Sequence, residues 1–403
     1  MTNPILHIQK DRMLNELQEQ GKIGWKDKIG LCREGYSDSY FQVRDYVKEL
    51  MEKAGLEVRI DTVGNIFGCL KGSNSSAKTI LIGSHLDSVY GGGIYDGQFG
   101  VFGAIEAVRT LKENGVKPIH NIEIVGFVAE EGGPLGGTFG SRCFCGLVDL
   151  DKLSTQILET YGLTKQKILD AKADLSKYLC FLEMHIEQGP VLDRDSIYKL
   201  GIPTGIVGIL RYRCSILGEA NHAGTTPMLE RKDALYQTFQ VLTQWIGKVR
   251  EEKNAVCNVA QIKNEPDQIG VVSERTEFLI EIRSQEEEHS LKIAADLEEL
   301  LKKTEGYTME QVINKRPVVL NEALMKFIED AADKLSVANC RMPSGASHDA
   351  ASLGKVMPTA MIFVPSKNGI SHNKEEYTTP EELTDGTEVL CNTLLSIDEE
   401  YSA

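Results

Sequence analysis

Apolar segments that end in polar, glycine-rich sequence recur along the chain, and this recurrence constrains the fold more than any other feature. Four of them are TILIGSHLDS (79–88), NIEIVGFVAEEGG (121–133), KYLCFLEMHIEQG (177–189) and TAMIFVPSKNGISHN (359–373). Continuous apolar runs are typical of buried parallel strands, and helix-like segments such as 100–115 separate them. The sequence therefore predicts an α/β domain with an open, mostly parallel sheet, where ligands bind beyond the carboxyl ends of the strands.

The stretch from 211 to 320 follows a different order of elements. RYRCSILGE, NAVCNVAQI, TEFLIEIRSQ and MEQVINKRPVV are typical of strands, whereas DALYQTFQVLTQWIGKVREEK and HSLKIAADLEELLKKTEG have the apolar spacing of amphipathic helices. Their order along the chain is β-α-β-β-α-β, that of the split ferredoxin-like unit. We therefore expect an inserted ferredoxin-like α+β domain at 211–320, and a main domain made from 1–210 and 321–403.

Length and charge limit the classes of protein to which the chain can belong. Its 403 residues fit two domains, and 59 acidic against 44 basic residues give a net charge of −15. A strongly acidic surface repels polyanions, which favours a small-molecule partner over nucleic acid. The amino terminus lacks an apolar signal core, and no apolar run approaches the roughly 18 residues of a membrane span. We therefore expect a cytoplasmic protein with no membrane partner.

Nine cysteines are scattered along the chain without any CxxC pair. This pattern argues against both a disulfide framework and a thiolate zinc site. Cys143 and Cys145 form a CxC with no second pair, which is weak evidence for a metal site. We expect most of the cysteines to be reduced, buried thiols.

Imidazole and carboxylate side chains gather near the ends of the predicted parallel strands. The residues concerned are His85, Asp87, Asp96, Glu130, Glu131, His185, His348 and His372. Asp87 follows His85 by two residues, so both side chains face one side of an extended segment and the carboxylate can orient the imidazole. The adjacent carboxylates of Glu130 and Glu131 repel each other, and two cations would neutralise them while leaving one free as a base. Nitrogen and oxygen donors without thiolate suit Zn²⁺, Mn²⁺, Co²⁺ or Ni²⁺.

Each of these residues also has an ordinary interpretation. A single histidine is more often a surface or core residue than a metal ligand, and a Glu-Glu pair is usually solvated. Their joint position at successive strand ends favours a metal site. His7, His120 and His289 lack such surroundings, and we expect them to be structural.

Seven motifs occur in order along the chain: GSHLDSV, GGIYDGQFG, AEEG, MHIEQGP, NHAGTTPM, SGASHDA and MIFVPSKNGISHN. With them the sequence resembles the N-carbamoyl-L-amino-acid hydrolases and allantoate amidohydrolases, a branch of the two-metal aminoacylase and carboxypeptidase-like amidohydrolases. The resemblance implies a catalytic α/β domain interrupted by a smaller domain that forms a homodimer contact. It also implies two divalent ions per subunit, zinc or manganese with cobalt or nickel as alternatives, and hydrolysis of the C–N bond of a ureido or allantoate-like carboxylate.

The resemblance further implies which residues bind the metal ions. His85 and His185 would hold one ion, and Glu131 and His372 would hold the other. Asp96 would bridge the two ions. On this assignment every predicted ligand comes from one of the glycine-rich strand ends or from a loop beside it.

Catalytic roles follow from the same resemblance. Glu130 would act as the general base, and Asp87 would support His85 from outside the ligand shell. His222, in NHAGTTPM of the smaller domain, would polarise the scissile carbonyl oxygen and contact the substrate. By residue type and place alone, His222 is an ordinary polar loop residue.

Three further residues would contact the substrate: Gln188, Arg283 and His348. Arg283 in EIRSQ matches the arginine that holds the substrate carboxylate through a two-pronged hydrogen bond. Without the resemblance, Arg283 is an ordinary polar residue of a strand.

Two segments depart from the family pattern. At 270–274 the chain has GVVSE in place of Asn-Val-Val-Pro-Gly, whose Asn helps to bind the substrate carboxylate. After the Glu pair, residues 132–135 are Gly-Gly-Pro-Leu in place of Gly-Ser-Arg-Phe, which removes a charge and an aromatic ring. The hydrolytic residues are all present, so the sequence predicts C–N bond hydrolysis and leaves the identity of the substrate open.

Two alternatives remain at this point. The same metals on the same scaffold would also serve a dipeptidase or an N-acyl-amino-acid aminoacylase. A binding or scaffold protein that has kept the fold and lost the reaction belongs to a different class. The intact Glu130 and the five predicted ligands favour an enzyme.

Overall fold

The computed structural model describes residues 4–195 and 197–401. It forms two compact units, one made of Met1–Thr204 with Val319–Ala403 and the other of Gly205–Val318. The second unit thus begins six residues earlier than the predicted 211–320 and ends two residues earlier. The predicted strand MEQVINKRPVV is two strands, because Pro317 has no N–H to donate to a ladder and separates them.

The described residues contain strands and helices that we number in chain order. The strands are β1 Trp25–Lys26, β2 Gly30–Cys32, β3 Glu57–Ile60, β4 Ile66–Leu70, β5 Thr79–His85, β6 Tyr90–Gly92, β7 Asn121–Phe127, β8 Tyr178–Ile186, β9 Leu200–Ile206, β10 Gly208–Leu217, β11 Ala255–Glu265, β12 Arg275–Ser284, β13 Tyr307–Lys315, β14 Val318–Val319, β15 Asn339–Ser344 and β16 Thr359–Val364. The helices are α1 Lys10–Gly21, α2 Asp38–Lys53, α3 Gln98–Glu113, α4 Phe139–Cys145, α5 Thr155–Thr160, α6 Lys165–Asp170, α7 Val191–Arg194, α8 Ala234–Val249, α9 Glu287–Leu301, α10 Glu322–Lys334, α11 Ala350–Leu353 and α12 Pro380–Glu400.

The first unit is built on a mixed sheet in the order β14-β9-β16-β8-β5-β7-β4-β3, with β15 paired to β9. Its four central strands, β16, β8, β5 and β7, are parallel, as the apolar runs predict. The flanking pairs β4–β7, β3–β4 and β9–β16 are antiparallel, so the sheet is less uniformly parallel than expected. The reason at one edge is a tight turn between β3 and β4, in which the Asp61 carboxylate accepts the backbone N–H groups of Val63, Gly64 and Asn65. Such a hairpin can join only antiparallel strands.

Close packing of α3 against the central strands depends on two glycines. A Cβ atom at Gly100 would lie 2.3 Å from the backbone oxygen of Met184 in β8. At Gly97, which precedes α3 and has φ of +75°, a Cβ atom would lie 2.3 Å from Cε1 of His85. Glycine accepts this backbone conformation at no steric cost. The first turn of α3 can therefore approach the carboxyl end of β5.

The second unit is a four-stranded antiparallel sheet, in the order β11-β12-β10-β13, that shares one apolar core with α8 and α9. Along the chain its elements follow the order β-α-β-β-α-β that the sequence indicates. Alternate residues of β12 are fully buried, which places one face of the strand in the core. Trp245 of α8 is buried there, and its Nε1 donates to the backbone oxygen of Ile293 over 2.9 Å.

The cysteines behave as the sequence predicts. All nine are free thiols, and six of them are buried. Cys143 and Cys145 lie in α4, where burial raises the pKa of each thiol above its usual range. None of the described helices is long and apolar enough to span a bilayer.

Candidate metal site

The carboxyl ends of three neighbouring parallel strands carry the predicted metal-binding residues. His85 is the last residue of β5, His185 is the next-to-last residue of β8, and Glu130 and Glu131 follow shortly after the end of β7. Parallel neighbours finish at the same edge of a sheet, so these side chains converge. Loops bring in the other two residues, with Asp96 between β6 and α3 and His372 after β16.

The donor atoms form two groups that share Asp96. In one group, donor atoms of His85, Asp96 and His185 all lie within 4.8 Å of one another, and in the other group those of Asp96, Glu131 and His372 do so. The Oδ1 atom of Asp96 is 3.5 Å from Nε2 of His85 and 3.1 Å from Nε2 of His185. Its Oδ2 atom is 3.2 Å from Nε2 of His372, which in turn lies 3.4 Å from Oε2 of Glu131. The structure thus brings together all five residues that the resemblance nominates as ligands.

Backbone carbonyls orient two of the imidazoles. Nδ1 of His185 lies 2.8 Å from the carbonyl oxygen of Ile186, and Nδ1 of His85 lies 3.1 Å from that of Asp87. A carbonyl only accepts hydrogen bonds, so Nδ1 carries a proton in each ring, and in the neutral form of the ring Nε2 has a lone pair. The backbone N–H of Gly97 donates to Nε2 of His185 over 3.2 Å, in agreement with that tautomer. Nε2 is thereby presented to Asp96 in the form that a metal ion requires.

Asp87 supports the site in a different way from the one expected. Its carboxylate is 3.7 Å from Nδ1 of His85, beyond hydrogen-bonding distance, because the backbone carbonyl of Asp87 already occupies that nitrogen. Oδ1 and Oδ2 of the carboxylate instead accept the backbone N–H groups of Glu130 and Glu131, each over 3.1 Å. The carboxylate therefore fixes the loop that presents the Glu pair. The backbone oxygen of Glu130 accepts the N–H of Thr138 over 2.7 Å and holds that loop from its other side.

The chemistry of this donor set fits divalent cations. The two groups contain three imidazoles and two carboxylates, and no thiolate. Such nitrogen and oxygen donors suit Zn²⁺, Mn²⁺, Co²⁺ or Ni²⁺ better than an iron–sulfur or copper(I) centre. Four buried or nearly buried carboxylates, those of Asp87, Asp96, Glu130 and Glu131, crowd into the same region. Their mutual repulsion is relieved when cations are held among them.

The pKa values of the donors reflect this crowding. Burial raises the pKa of Asp96, but its close contacts with the imidazoles of His185, His372 and His85 outweigh burial and hold that pKa well below its usual value. Burial, followed by the charge of Asp96, raises the pKa of Glu131 to about 8. The hydrogen bond to Asp96 raises the pKa of His372 to about 9. Of the two carboxylates in the donor groups, Asp96 is therefore the one whose charged form is more strongly favoured.

Glu130 lies beside the two donor groups and belongs to neither. Its side chain is buried, and Oε2 is 3.9 Å from Nε2 of His85. Burial raises the pKa of Glu130 well above its usual value, and the negative charges of Asp349, Glu131 and Asp87 add to this effect. A carboxylate in such surroundings accepts a proton more readily than one in water.

Gln188 and His348 also lie beside the donor groups. Nε2 of Gln188 donates to Oδ2 of Asp96 over 2.7 Å, so this predicted substrate contact touches the shared carboxylate directly. The ring of His348 is fully buried, with its centroid 4.4 Å from that of His185. Burial lowers the pKa of His348 well below its usual value, and Nε2 of the neutral ring lies 3.0 Å from Oγ of Ser344.

His222 and Arg283, the remaining predicted site residues, belong to the second unit. Nδ1 of His222 accepts the backbone N–H of Gly224 over 3.0 Å, which leaves the proton of a neutral ring on Nε2. Arg283 lies in β12, and its Nε donates to Oε1 of Glu281 over 2.6 Å. The other carboxylate oxygen of Glu281 accepts from Nε of Arg211 on the neighbouring strand β10. Glu281 was not among the predicted site residues.

Sequence reasoning also missed Glu376 and Ser371. The hydroxyl of Ser371 donates to Oε2 of Glu376 over 2.9 Å and lies 3.3 Å from Oδ2 of Asp96. Oε1 of Glu376 accepts the backbone N–H groups of Tyr95 and Asp96. Ser371 precedes His372 by one residue, and Glu376 follows it by four. Their closeness in sequence to a predicted ligand is the only signal that could have identified them.

Comparison with known proteins supports the resemblance. The family model described as peptidase family M20/M25/M40 matches residues 81–396. The chain is 34% identical to an N-carbamoyl-L-amino acid amidohydrolase of Geobacillus stearothermophilus, over 96% of this chain and 98% of the relative. It is 32% identical to the allantoate amidohydrolase of Escherichia coli, over 90% and 91% of the two chains.

A solved structure agrees with these relatives. The crystal structure of an amidase of the hydantoinase/carbamoylase family from Burkholderia multivorans superposes with a TM-score of 0.87 and 30% identity, and the match covers 98% of each chain. The relatives carry the names to which the seven motifs point, so the predicted resemblance is confirmed. The fold and the sequence together show that this chain belongs to peptidase family M20/M25/M40.

Proposed function

We propose that this protein is a metal-dependent amidohydrolase that cleaves the C–N bond of an N-carbamoyl amino acid or of an allantoate-like carboxylate. The observation that carries the proposal is the pair of donor groups that share Asp96, with Glu130 buried beside them and outside both. The names of the relatives support hydrolysis of linear amides in particular.

Two divalent cations, zinc or manganese, would be held by the five donors. His85 and His185 would hold one ion, Glu131 and His372 the other, and Asp96 would bridge them, since its two oxygens face different groups. Such cations, when bound, polarise a carbonyl group and lower the pKa of water towards neutrality.

Glu130 is our assignment for the general base. Its carboxylate takes the proton of the attacking water and returns it to the departing nitrogen, which is the two-way role of a single positioned carboxylate. Two contacts to the backbone of this residue, from the Asp87 carboxylate and from the N–H of Thr138, hold it in place for both transfers. A proton carrier that also ligated a cation would lose basicity, so its place outside both groups suits the role.

Substrate recognition is assigned to four residues: Gln188, His222, Arg283 and His348. The Nε2–H of His222 suits a hydrogen bond to the carbonyl oxygen as negative charge develops on it. The guanidinium of Arg283 suits a substrate carboxylate, which would compete for it with Glu281. In addition, Gly270 stands where the family has an Asn that helps to bind the substrate carboxylate. For both reasons we expect this protein to select carboxylate substrates less strongly than the carbamoylases do.

A homodimer formed through the second unit completes the proposal. β11 is an edge strand of its sheet, and its side chains Val256 and Ile262 are exposed, as are Tyr236 and Phe239 of α8. Apolar side chains on an unpaired edge favour association with another chain. A second copy of the protein would cover these residues in the manner that the family resemblance implies.

A substrate panel tests the function. The chain reconstituted with Mn²⁺ or Zn²⁺ is offered N-carbamoyl-L-amino acids, N-carbamoyl-β-alanine, allantoate, dipeptides and N-acetyl amino acids, and released ammonia and amine are measured. We expect ammonia from the ureido compounds and no turnover of dipeptides. Glu130→Gln is the control, because it keeps the ligands and removes the base. Turnover of dipeptides or N-acetyl amino acids alone would instead identify a dipeptidase or an aminoacylase.

A further inference from the structure

The shared carboxylate of Asp96 must be held in one orientation to serve both donor groups. Its Oδ1 atom faces His85 and His185, and its Oδ2 atom faces His372. A rotation of the carboxylate, or a small shift of its loop, would move one oxygen away from its group. The groups that hold the backbone and side chain of Asp96 therefore affect both sides of the site at once.

Glu376 contacts Asp96 in two ways. Its Oε1 atom accepts the backbone N–H groups of Tyr95 and Asp96, each over 3.1 Å. Its Oε2 atom accepts the hydroxyl of Ser371 over 2.9 Å, and that hydroxyl lies 3.3 Å from Oδ2 of Asp96. One buried carboxylate thus fixes the main chain at Asp96 and, through Ser371, approaches its side chain.

Glu376 is not a ligand, and the fold is shaped around it. It belongs to neither donor group. The residue is 5% exposed, and a Cβ atom at Gly93 would lie 2.3 Å from its Oε1. The loop that carries Asp96 can therefore approach the carboxylate only because residue 93 has no side chain. Glu376 follows His372 by four residues, so the same contacts tie the loop of one ligand to the loop of another.

We propose that Glu376 is a positioning residue for the bridging carboxylate, and that it acts through the backbone of Asp96 and through Ser371. This inference depends on the two-cation function proposed above. Removal of the Glu376 carboxylate leaves two backbone N–H groups without their acceptor and frees the Asp96 loop. Loss of an outer partner of this kind typically lowers metal affinity about 10- to 100-fold.

The test compares Mn²⁺ binding by the full-length wild type, Glu376→Ala and Glu376→Gln, after removal of metal with a chelator. Isothermal titration gives the number of ions and their affinity. We expect Glu376→Ala to bind at least one ion about 10- to 100-fold more weakly. Glu376→Gln keeps an oxygen that can accept both N–H groups, so its affinity should lie nearer to that of the wild type. A fall as deep as that of Glu376→Ala would overturn the role of these hydrogen bonds.

Asp398→Ala is the matched control. Asp398 is 6% exposed and likewise accepts two backbone N–H groups, those of Ile119 and His120, but these residues precede β7 while Glu130 follows it. We expect Asp398→Ala to lower the melting temperature and leave Mn²⁺ affinity unchanged. Equal Mn²⁺ affinity in the wild type and Glu376→Ala would overturn the positioning role alone. A wild type that binds no Mn²⁺ would overturn the proposed function and this inference with it.

Discussion

The carboxylate of Asp87 holds the backbone N–H of Glu131 at 3.1 Å, and its other oxygen holds that of the preceding residue at the same distance. One side chain just after β5 therefore sets the position of a proposed metal ligand and of the proposed base, both of which follow β7. Its contribution to His85 comes from the main chain, through the carbonyl oxygen. The carboxylate and the carbonyl of Asp87 thus contact different residues, and a substitution of the side chain removes only the carboxylate contacts.

Asp87→Ala removes the acceptor of both N–H groups and leaves the carbonyl contact to His85 in place. We expect kcat to fall about 10- to 100-fold, as is typical when a supporting partner of a metal site is lost. Steady-state kinetics with metal analysis of the purified variant gives the answer. Unchanged kcat would show that the Glu pair keeps its position without Asp87.

Arg283→Ala should raise KM for carboxylate substrates. Loss of hydrogen bonds to a charged group typically costs about 1.5–3 kcal/mol, which corresponds to about 10- to 150-fold in KM. Arg211→Ala is the matched control, because Arg211 donates to the same Glu281 from the neighbouring strand. If both variants raise KM equally, the ion pair with Glu281 matters and a direct contact of Arg283 with substrate does not.

Removal of metal should destabilise the protein. Several carboxylates of the site have pKa values raised by burial, and cations among them relieve the repulsion. A ligand at 100 times its dissociation constant stabilises the folded state by about 2.7 kcal/mol. Melting temperatures measured with a chelator and with excess Mn²⁺ should therefore differ by several degrees, and Mg²⁺ should restore less than Mn²⁺. Identical melting curves in all three conditions would contradict a structural contribution of bound cations.

Gly97→Ala should lower the affinity for metal by more than its effect on the stability of the fold can explain. The new Cβ would lie 2.3 Å from the His85 ring, at a residue with φ of +75°. Gly115→Ala provides the comparison, since Gly115 has φ of +73° and its Cβ would meet nothing within 4 Å. Both variants place a side chain at a positive φ, which typically costs about 1–3 kcal/mol, but only the first displaces His85, a predicted ligand. Metal affinity, measured beside the melting temperature, should separate the two effects.

Much of the site could be predicted because its residues lie at strand ends. The apolar runs locate β5, β7 and β8, and parallel neighbours bring His85, Glu131 and His185 to one edge. Asp96 and His372 lie in loops whose course no local pattern specifies; their places near the strand ends suggested them, and the family motifs assigned their roles. The antiparallel flanks of the sheet were missed because apolar content does not encode strand direction.

The hydrogen-bond network around the ligands could not be predicted. The carboxylate of Glu376 accepts hydrogen bonds from backbone N–H groups 280 and 281 residues away, and no side-chain pattern marks such a contact. The pairing of Arg283 with Glu281 is different, because residues two apart on a strand share a face and the sequence alone suggests it. Nδ1 of His85 lies 0.6 Å nearer to the backbone carbonyl oxygen of Asp87 than to its carboxylate, and only the structure shows which of the two accepts the hydrogen bond.

Asp96 belongs to both donor groups, and this limits how the site can change in evolution. Loss of Glu131 or His372 leaves the trio of His85, Asp96 and His185 complete, with three donors for one ion. Loss of Asp96 leaves two pairs of donors, and neither is sufficient for a stable site. A descendant of this scaffold that works with a single ion would therefore keep Asp96 and abandon the side that includes His372.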